Sequence, residues 1–255
     1  MQIYSFSTKI SANFATFEGP TGITKQYKDM QNQMIWIIVI GVMVLSYIIQ
    51  AMLQSRFNKY SQVPTSNGMT GAEVARKMLL DNGITDVEVT SVKGTLTDHY
   101  NPQTKTVNLS EAVYGQRNIA AAAVAAHECG HVLQHAQGYG PLKLRSALVP
   151  VVNFSNKAVQ WVLLAGVLLF AVTHSVLWLG VILFGMSTLF SLVTLPVEIN
   201  ASRRAIAWLE SAGITNYETK PMAQDSLKWA AYTYVIAAIG SLATLFYYIG
   251  IARSR

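Results

Sequence analysis

Five residues near the middle of the chain, His127-Glu128-Cys129-Gly130-His131, have the types and spacing for metal-assisted hydrolysis. On a helix, residues four apart stand about one turn apart on one face, so both imidazoles can reach a single ion at about 2.0 to 2.1 Å. Glu128 lies about 100° around the helix from His127, where its carboxylate reaches a water on the ion without ligating it. Zinc lowers the pKa of such a water towards about 7, and a carboxylate then takes its proton as it attacks a carbonyl. One Zn2+ per chain is the expected cofactor, with His127 and His131 as ligands, Glu128 as base and amide hydrolysis as the reaction. The plain alternative is a helix with two surface histidines and a solvated glutamate; with only five histidines in 255 residues, the pattern weighs against it.

A catalytic zinc usually has three protein ligands and one open position. His135 is the nearest further donor, but it lies about 12 Å along the helix from His127, too far to share its ion. The metzincin continuation is absent too, since Gln134 and Gln137 stand where its glycine and third histidine belong. A carboxylate from elsewhere is required. The downstream acids are Glu198, Glu210, Glu218 and Asp225. Glu198 follows directly on a long apolar stretch, a place where acids also serve as simple interfacial residues, so spacing alone leaves the choice open. Cys129 sits about 200° from His127 and reads as a small packed residue.

The motif needs a helix to hold it. Asn118 is placed to cap an Ala-rich helix running to about Ala136 and ended by Gly138. Upstream, Thr70-Gly71-Ala72-Glu73 has the form of a capping box ahead of a helix that stops near Asn82-Gly83. Val87, Val89 and Val92 suggest a strand, and Thr95 to Tyr100 and Thr104 to Leu109 flank the turn Asn101-Pro102-Gln103 as a small hairpin. Thr104 to Leu109 reads either as an edge strand for an extended substrate or as an ordinary hairpin strand. Asp98-His99-Tyr100 reads as a strand-end polar cluster, with His99 or Tyr100 a possible oxyanion donor.

Composition places this segment beside a bilayer. Charged residues are 13% and hydrophobic residues 51% of the chain, too few charges to cover a soluble fold of 255 residues. The +6 balance does not read as nucleic-acid binding, because the cations flank apolar segments rather than forming a run with aromatic neighbours. Met34 to Leu53 has the length of one span. Ala158 to Val197 carries no charge and suits two spans turning at Thr173-His174-Ser175, and Trp229 to Ala252 forms a fourth. The expected division is a flexible tail over 1–33, spans at 34–53, 158–197 (a hairpin) and 229–252, a catalytic segment at 54–157 and a third-ligand helix and loop at 198–228. Met30 and Met34, just ahead of the first span, are candidate natural starts. Four spans put 54–157 and 196–228 on one side, with His174 on the other. That side holds fourteen of the nineteen Lys/Arg, which favours a cytoplasmic face. Arg203 and Arg204 read as interfacial anchors or substrate contacts.

The stretches GMTGAEVARKML, LTDHYNP, AVAAHECGHVLQHAQGY, LRSALVP and LVTLPVEINASRRA follow the first span in order, and a final TYV-containing span closes the chain. In this the sequence resembles the YugP-like bacterial membrane zinc metallopeptidases from about Met34 onward. The resemblance implies that His127, His131 and Glu198 bind zinc, that Glu128 is the catalytic base and that the bacterial cell (inner) membrane is the location. More loosely it is similar to membrane zinc proteases of the HtpX kind, whose third ligand opens an E-x-x-A-D pattern; here Glu198-Ile199-Asn200-Ala201-Ser202 puts a serine where that pattern has its aspartate.

The expectation is therefore a mainly α, four-span integral membrane protein with a zincin-like segment, a small β hairpin or sheet and one zinc. It would act as an endopeptidase on a protein or peptide substrate, with the lipid bilayer as its other partner and no nucleic acid. The alternatives are a zinc-stabilised scaffold without turnover and a zinc hydrolase of a non-peptide amide. Glu128 argues against the scaffold, because a structural zinc is closed by four ligands and has no use for a base. A transporter is disfavoured by spans with almost no ionisable groups.

Overall fold

A computed structural model describes residues 22–169 and 175–253. The order is α1 (Gly22–Tyr60), α2 (Gly71–Asp81), β1 (Glu88–Val92), β2 (His99–Asn101), β3 (Thr106–Ser110), α3 (Glu111–Tyr114), α4 (Ile119–Ala136), α5 (Gly140–Leu168), α6 (Ser175–Ser211) and α7 (Lys220–Arg253). The protein is mainly helical, as expected. Among the described residues four helices, α1, α5, α6 and α7, are long and apolar enough to cross a membrane. Residues 1–21 of the expected tail and Thr173-His174 of the expected turn lie outside the described residues, while 22–33 belong to α1.

Contacts divide the chain into two compact units. One comprises Ile49–Ser146 and Val193–Tyr234. Its local signals act as their chemistry requires. The Thr70 hydroxyl accepts the Glu73 N–H at 3.2 Å while the Glu73 carboxylate accepts the Thr70 N–H at 2.7 Å, closing the capping box on α2. Asn118 Oδ1 accepts the Ala121 N–H at 2.9 Å and starts α4; Gly138, at φ +64, lets the chain leave it. Ala120–Ala123, Ala125 and Ala126 are fully buried, so α4 runs through the core of this unit with only methyl groups at these positions between its backbone and its neighbours. Val74, Ala75 and Met78 of α2, Val89, Val107 and Leu109 of the sheet, and Ala205 and Leu209 of α6 complete that core.

The three-stranded sheet has the order β1-β3-β2. β2 and β3 form the expected antiparallel hairpin, with Tyr100 opposite Val107, and β1 runs parallel to β3, with Val89 opposite Val107. Of the two readings of Thr104 to Leu109, the edge strand is therefore corrected. β3 is the middle strand, and β2 is the edge.

The other unit comprises the described parts of 1–48, 147–192 and 235–255. Its helices close on one another at small residues. A Cβ on Gly166 would stand 2.6 Å from the Leu177 Cα, and one on Gly180 would stand 2.6 Å from Leu163 Cδ2. Ser187 donates to Asn156 Oδ1 at 2.9 Å across α5 and α6. Ile37, Trp161, Ile182 and Phe246 are exposed, as lipid-facing side chains are.

The helices outrun the uncharged stretches. α5 starts at Gly140 and passes Pro150, and α6 continues through Pro196 to Ser211 where the uncharged stretch had suggested a break. One proline removes one helical hydrogen bond, and both helices continue through theirs. Glu198 thus sits on the same continuous helix as the third span.

Candidate metal centre

Two helices build the site. α4 presents His127 and His131 one turn apart, and α6 presents Glu198 against them. The helices meet where a side chain would be intolerable, since a Cβ on Gly130 would stand 2.6 Å from the Ala201 carbonyl oxygen. This contact brings the Glu198 carboxylate to the imidazoles. Oε2 lies 3.2 Å from His127 Nε2 and 3.6 Å from His131 Nε2, and the three donor atoms lie within 4.8 Å of one another. Tetrahedral zinc with bonds of about 2.0 to 2.1 Å places its ligands about 3.3 Å apart. The separations and the donor set, two imidazole nitrogens and one carboxylate oxygen, therefore fit a zinc ion.

The far side of each donor is held as well. Ser202 Oγ lies 3.1 Å from His127 Nδ1, so the serine that replaces the aspartate of the HtpX-like pattern still partners this ring. Gln134 Oε1 lies 3.1 Å from His131 Nδ1. Arg145 Nη1 donates to Glu198 Oε1 at 3.2 Å, leaving Oε2 to face the histidines. The Glu198 side chain is only 4% exposed, so this carboxylate is buried among one cation and two imidazoles. Burial pushes the His131 imidazolium down, but the hydrogen bond and charge of Glu198, the charge of Glu128 and the contact with Gln134 pull it up further, and the net shift is upward. A metal ion must displace that proton to bind.

Glu128 is buried beside the ligands, and the Tyr100 N–H of edge strand β2 donates to its Oε2 at 3.1 Å. The Tyr100 hydroxyl meets His135 Nδ1 at 3.3 Å, so His135 is engaged with β2 and is not among the converging donors. Cys129 packs in the core with Sγ 3.5 Å from the Ala75 carbonyl, and burial pushes its thiol pKa up. Of the other downstream acids, Glu218 is exposed and Glu210 and Asp225 are paired elsewhere. Lys220 Nζ lies 2.7 Å from Glu210, and Asp225 takes the Tyr60 hydroxyl at 2.8 Å and Arg56 at 3.3 Å. Arg204 bonds Asn200 and Gln137 at 2.7 and 2.6 Å.

Sequence reasoning passed over Arg145 and the Tyr100 backbone, and it read Gln134 only as a break in another family's motif. Arg145 lies within the LRSALVP stretch, but its spacing from Glu198 carries no signal of a contact. Ser202 was visible by position, four residues after Glu198.

A family profile described as "Putative neutral zinc metallopeptidase" matches residues 35–253. The chain is 45% identical over 212 residues to the "Putative membrane protease YugP" of Bacillus subtilis (strain 168), a match covering 83% of this chain and 93% of that protein. No solved structure matches. A membrane protease relative and four apolar helices identify a membrane protein. With its profile spanning nearly the whole chain around His127, His131 and Glu198, the protein belongs to this family of neutral zinc metallopeptidases.

Proposed function

We propose that the chain is a zinc-dependent endopeptidase of the bacterial cell membrane, with its metal centre on the cytoplasmic side. The observation that carries this reading is the convergence of His127 Nε2, His131 Nε2 and Glu198 Oε2 with the Glu128 carboxylate beside them. Three donors leave a fourth position for substrate, and a base next to that position has a purpose only in turnover. When bound, zinc supplies Lewis acidity that polarises the scissile carbonyl and acidifies water beside it.

The chain's residues do the rest. The Tyr100 N–H fixes Glu128 Oε2, so Oε1 receives the proton of the attacking water and returns it to the leaving amine nitrogen. Arg145 occupies Glu198 Oε1 and keeps that ligand single-toothed. Edge strand β2 lies beside Glu128 at the open side of the sheet, where an extended peptide can run along it. Only Val197 and Pro196 separate Glu198 from Leu195, so the cut falls close to the bilayer surface. The cytoplasmic assignment follows the fourteen Lys/Arg of the segments on the side of the motif.

Casein cleavage by the detergent-solubilised full chain, compared with Glu128→Gln, tests this. The variant keeps its zinc, because Glu128 is not a ligand, and its rate falls by about 10² to 10⁴. Cleavage at the wild-type rate by a zinc-loaded Glu128→Gln would remove the mechanism.

A further inference from the structure

Gln134 has no exposed surface at all, and it is the only uncharged polar side chain of its length on α4. A buried primary amide that lacks partners is strongly unfavourable, so each of its atoms demands an account. Its partners fix its orientation. The guanidinium of Arg204 can only donate, and its Nε lies 2.7 Å from Asn200 Oδ1, so that atom is an oxygen acting as acceptor. Gln134 Nε2 lies 3.0 Å from the same Oδ1 and 2.7 Å from the Val197 carbonyl, which can only accept. Two acceptors on one side leave the amide a single arrangement, with nitrogen towards α6 and Oε1 towards His131.

From there the proton on His131 is settled. Gln134 Oε1 can only accept, so His131 Nδ1, at 3.1 Å, carries the hydrogen. A neutral imidazole with its hydrogen on Nδ1 has its lone pair on Nε2, the atom that faces Glu198 Oε2. A second contact closes the chain of bonds, since Arg204 Nη1 donates to Gln137 Oε1 at 2.6 Å and so returns to the end of α4. His127 is held differently. Its Nδ1 meets the Ser202 hydroxyl at 3.1 Å, which can donate or accept and so permits either tautomer.

We propose that Gln134 is a positioning residue for the metal centre, holding His131 in the Nδ1–H tautomer with Nε2 free for a divalent ion, while its amide nitrogen anchors the turn of α6 that carries Glu198. The proposal rests on the reading that His127, His131 and Glu198 hold the metal. Gln134 touches neither ion nor substrate; it acts through His131, and what it sets is metal affinity.

Cobalt(II) titration of the full-length protein in detergent, read by visible absorption and by competition with zinc, tests it. His131→Ala serves as the control for the underlying reading: if it binds cobalt like the wild type, the ligand assignment fails, and the Gln134 proposal falls with it for that separate reason. With the control passed, Gln134→Met, similar in size but unable to accept from Nδ1–H, weakens affinity by about 10- to 100-fold. Gln134→Glu keeps an acceptor for Nδ1–H but loses the amide nitrogen that bonds the Val197 carbonyl and Asn200, so its affinity lies between those of Gln134→Met and the wild type. Equal affinity in Gln134→Met, or no recovery in a folded Gln134→Glu, overturns the proposal. Should either variant fail to fold, nitrogen NMR of the zinc-loaded wild type decides. Nδ1–H with Nε2 on the metal supports the proposal, and the reverse tautomer of His131 refutes it.

Discussion

Replacing Gly130 with alanine tests whether the α4–α6 crossing sets the metal site. In most helix interiors this change stabilises a protein by roughly 0.5 to 1 kcal/mol, because glycine has the greater backbone freedom to lose. Here the new Cβ would stand 2.6 Å from the Ala201 oxygen and 3.1 Å from its carbonyl carbon and Cα, all of them backbone atoms. Ordinary contact begins at 3.4 Å, so the helices must part by about 0.8 Å. Overpacking of this kind costs about 1 to 3 kcal/mol, which outweighs the propensity gain over most of that range, and the net effect is a loss of up to about 2.5 kcal/mol. The same displacement separates Glu198 from the two histidines by several times the roughly 0.2 Å that a zinc site tolerates, so zinc affinity falls about tenfold or more. The assays are thermal unfolding in detergent and zinc competition with a chelator. Gly115→Ala is the control, since its Cβ meets nothing within 4 Å. A Gly130→Ala protein as stable as wild type, with unchanged zinc affinity, would refute the reasoning.

Two further outcomes follow from the same geometry. Ser202→Ala removes the partner of His127 Nδ1 and weakens zinc by about 10-fold without unfolding the protein, measured by competition titration; unchanged affinity would show that this hydroxyl does not support the ligand. The raised pKa of His131 in the metal-free chain has a definite sign. Its contact with Glu198 stabilises the chelator-treated protein at low pH, and that contribution is lost as pH rises through the raised pKa above 6.5. Zinc affinity runs the opposite way and falls with decreasing pH as the proton returns, by up to about one decade per pH unit. Melting curves with and without chelator from pH 5 to 8 check both slopes, and parallel profiles would contradict them.

Where side chains act on their own backbone, the sequence was readable. Thr70 with Glu73, Asn118, and Gly138 announce helix ends because each acts within three or four residues of itself. Glu198 stood out through the family resemblance, since spacing alone left the choice among the downstream acids open. The contacts of Gln134 with Val197, of Arg145 with Glu198 and of the Tyr100 N–H with Glu128 stayed hidden because they span 63, 53 and 28 residues and depend on how helices and strand cross. β3 was misread as a possible edge because its parallel neighbour β1 is joined to it through β2, a pairing that no turn residue signals. The ends of α5 and α6 were missed for a related reason. Charges bound the uncharged stretches, while the helices themselves continue beyond them through Pro150 and Pro196.

Metal content of the purified full chain, wild type beside Glu198→Ala, tests the central claim most directly. The geometry predicts one zinc per chain in the wild type and loss of most of it when the α6 carboxylate is removed. Full zinc occupancy in Glu198→Ala would contradict the account, because α4 alone would then hold the ion.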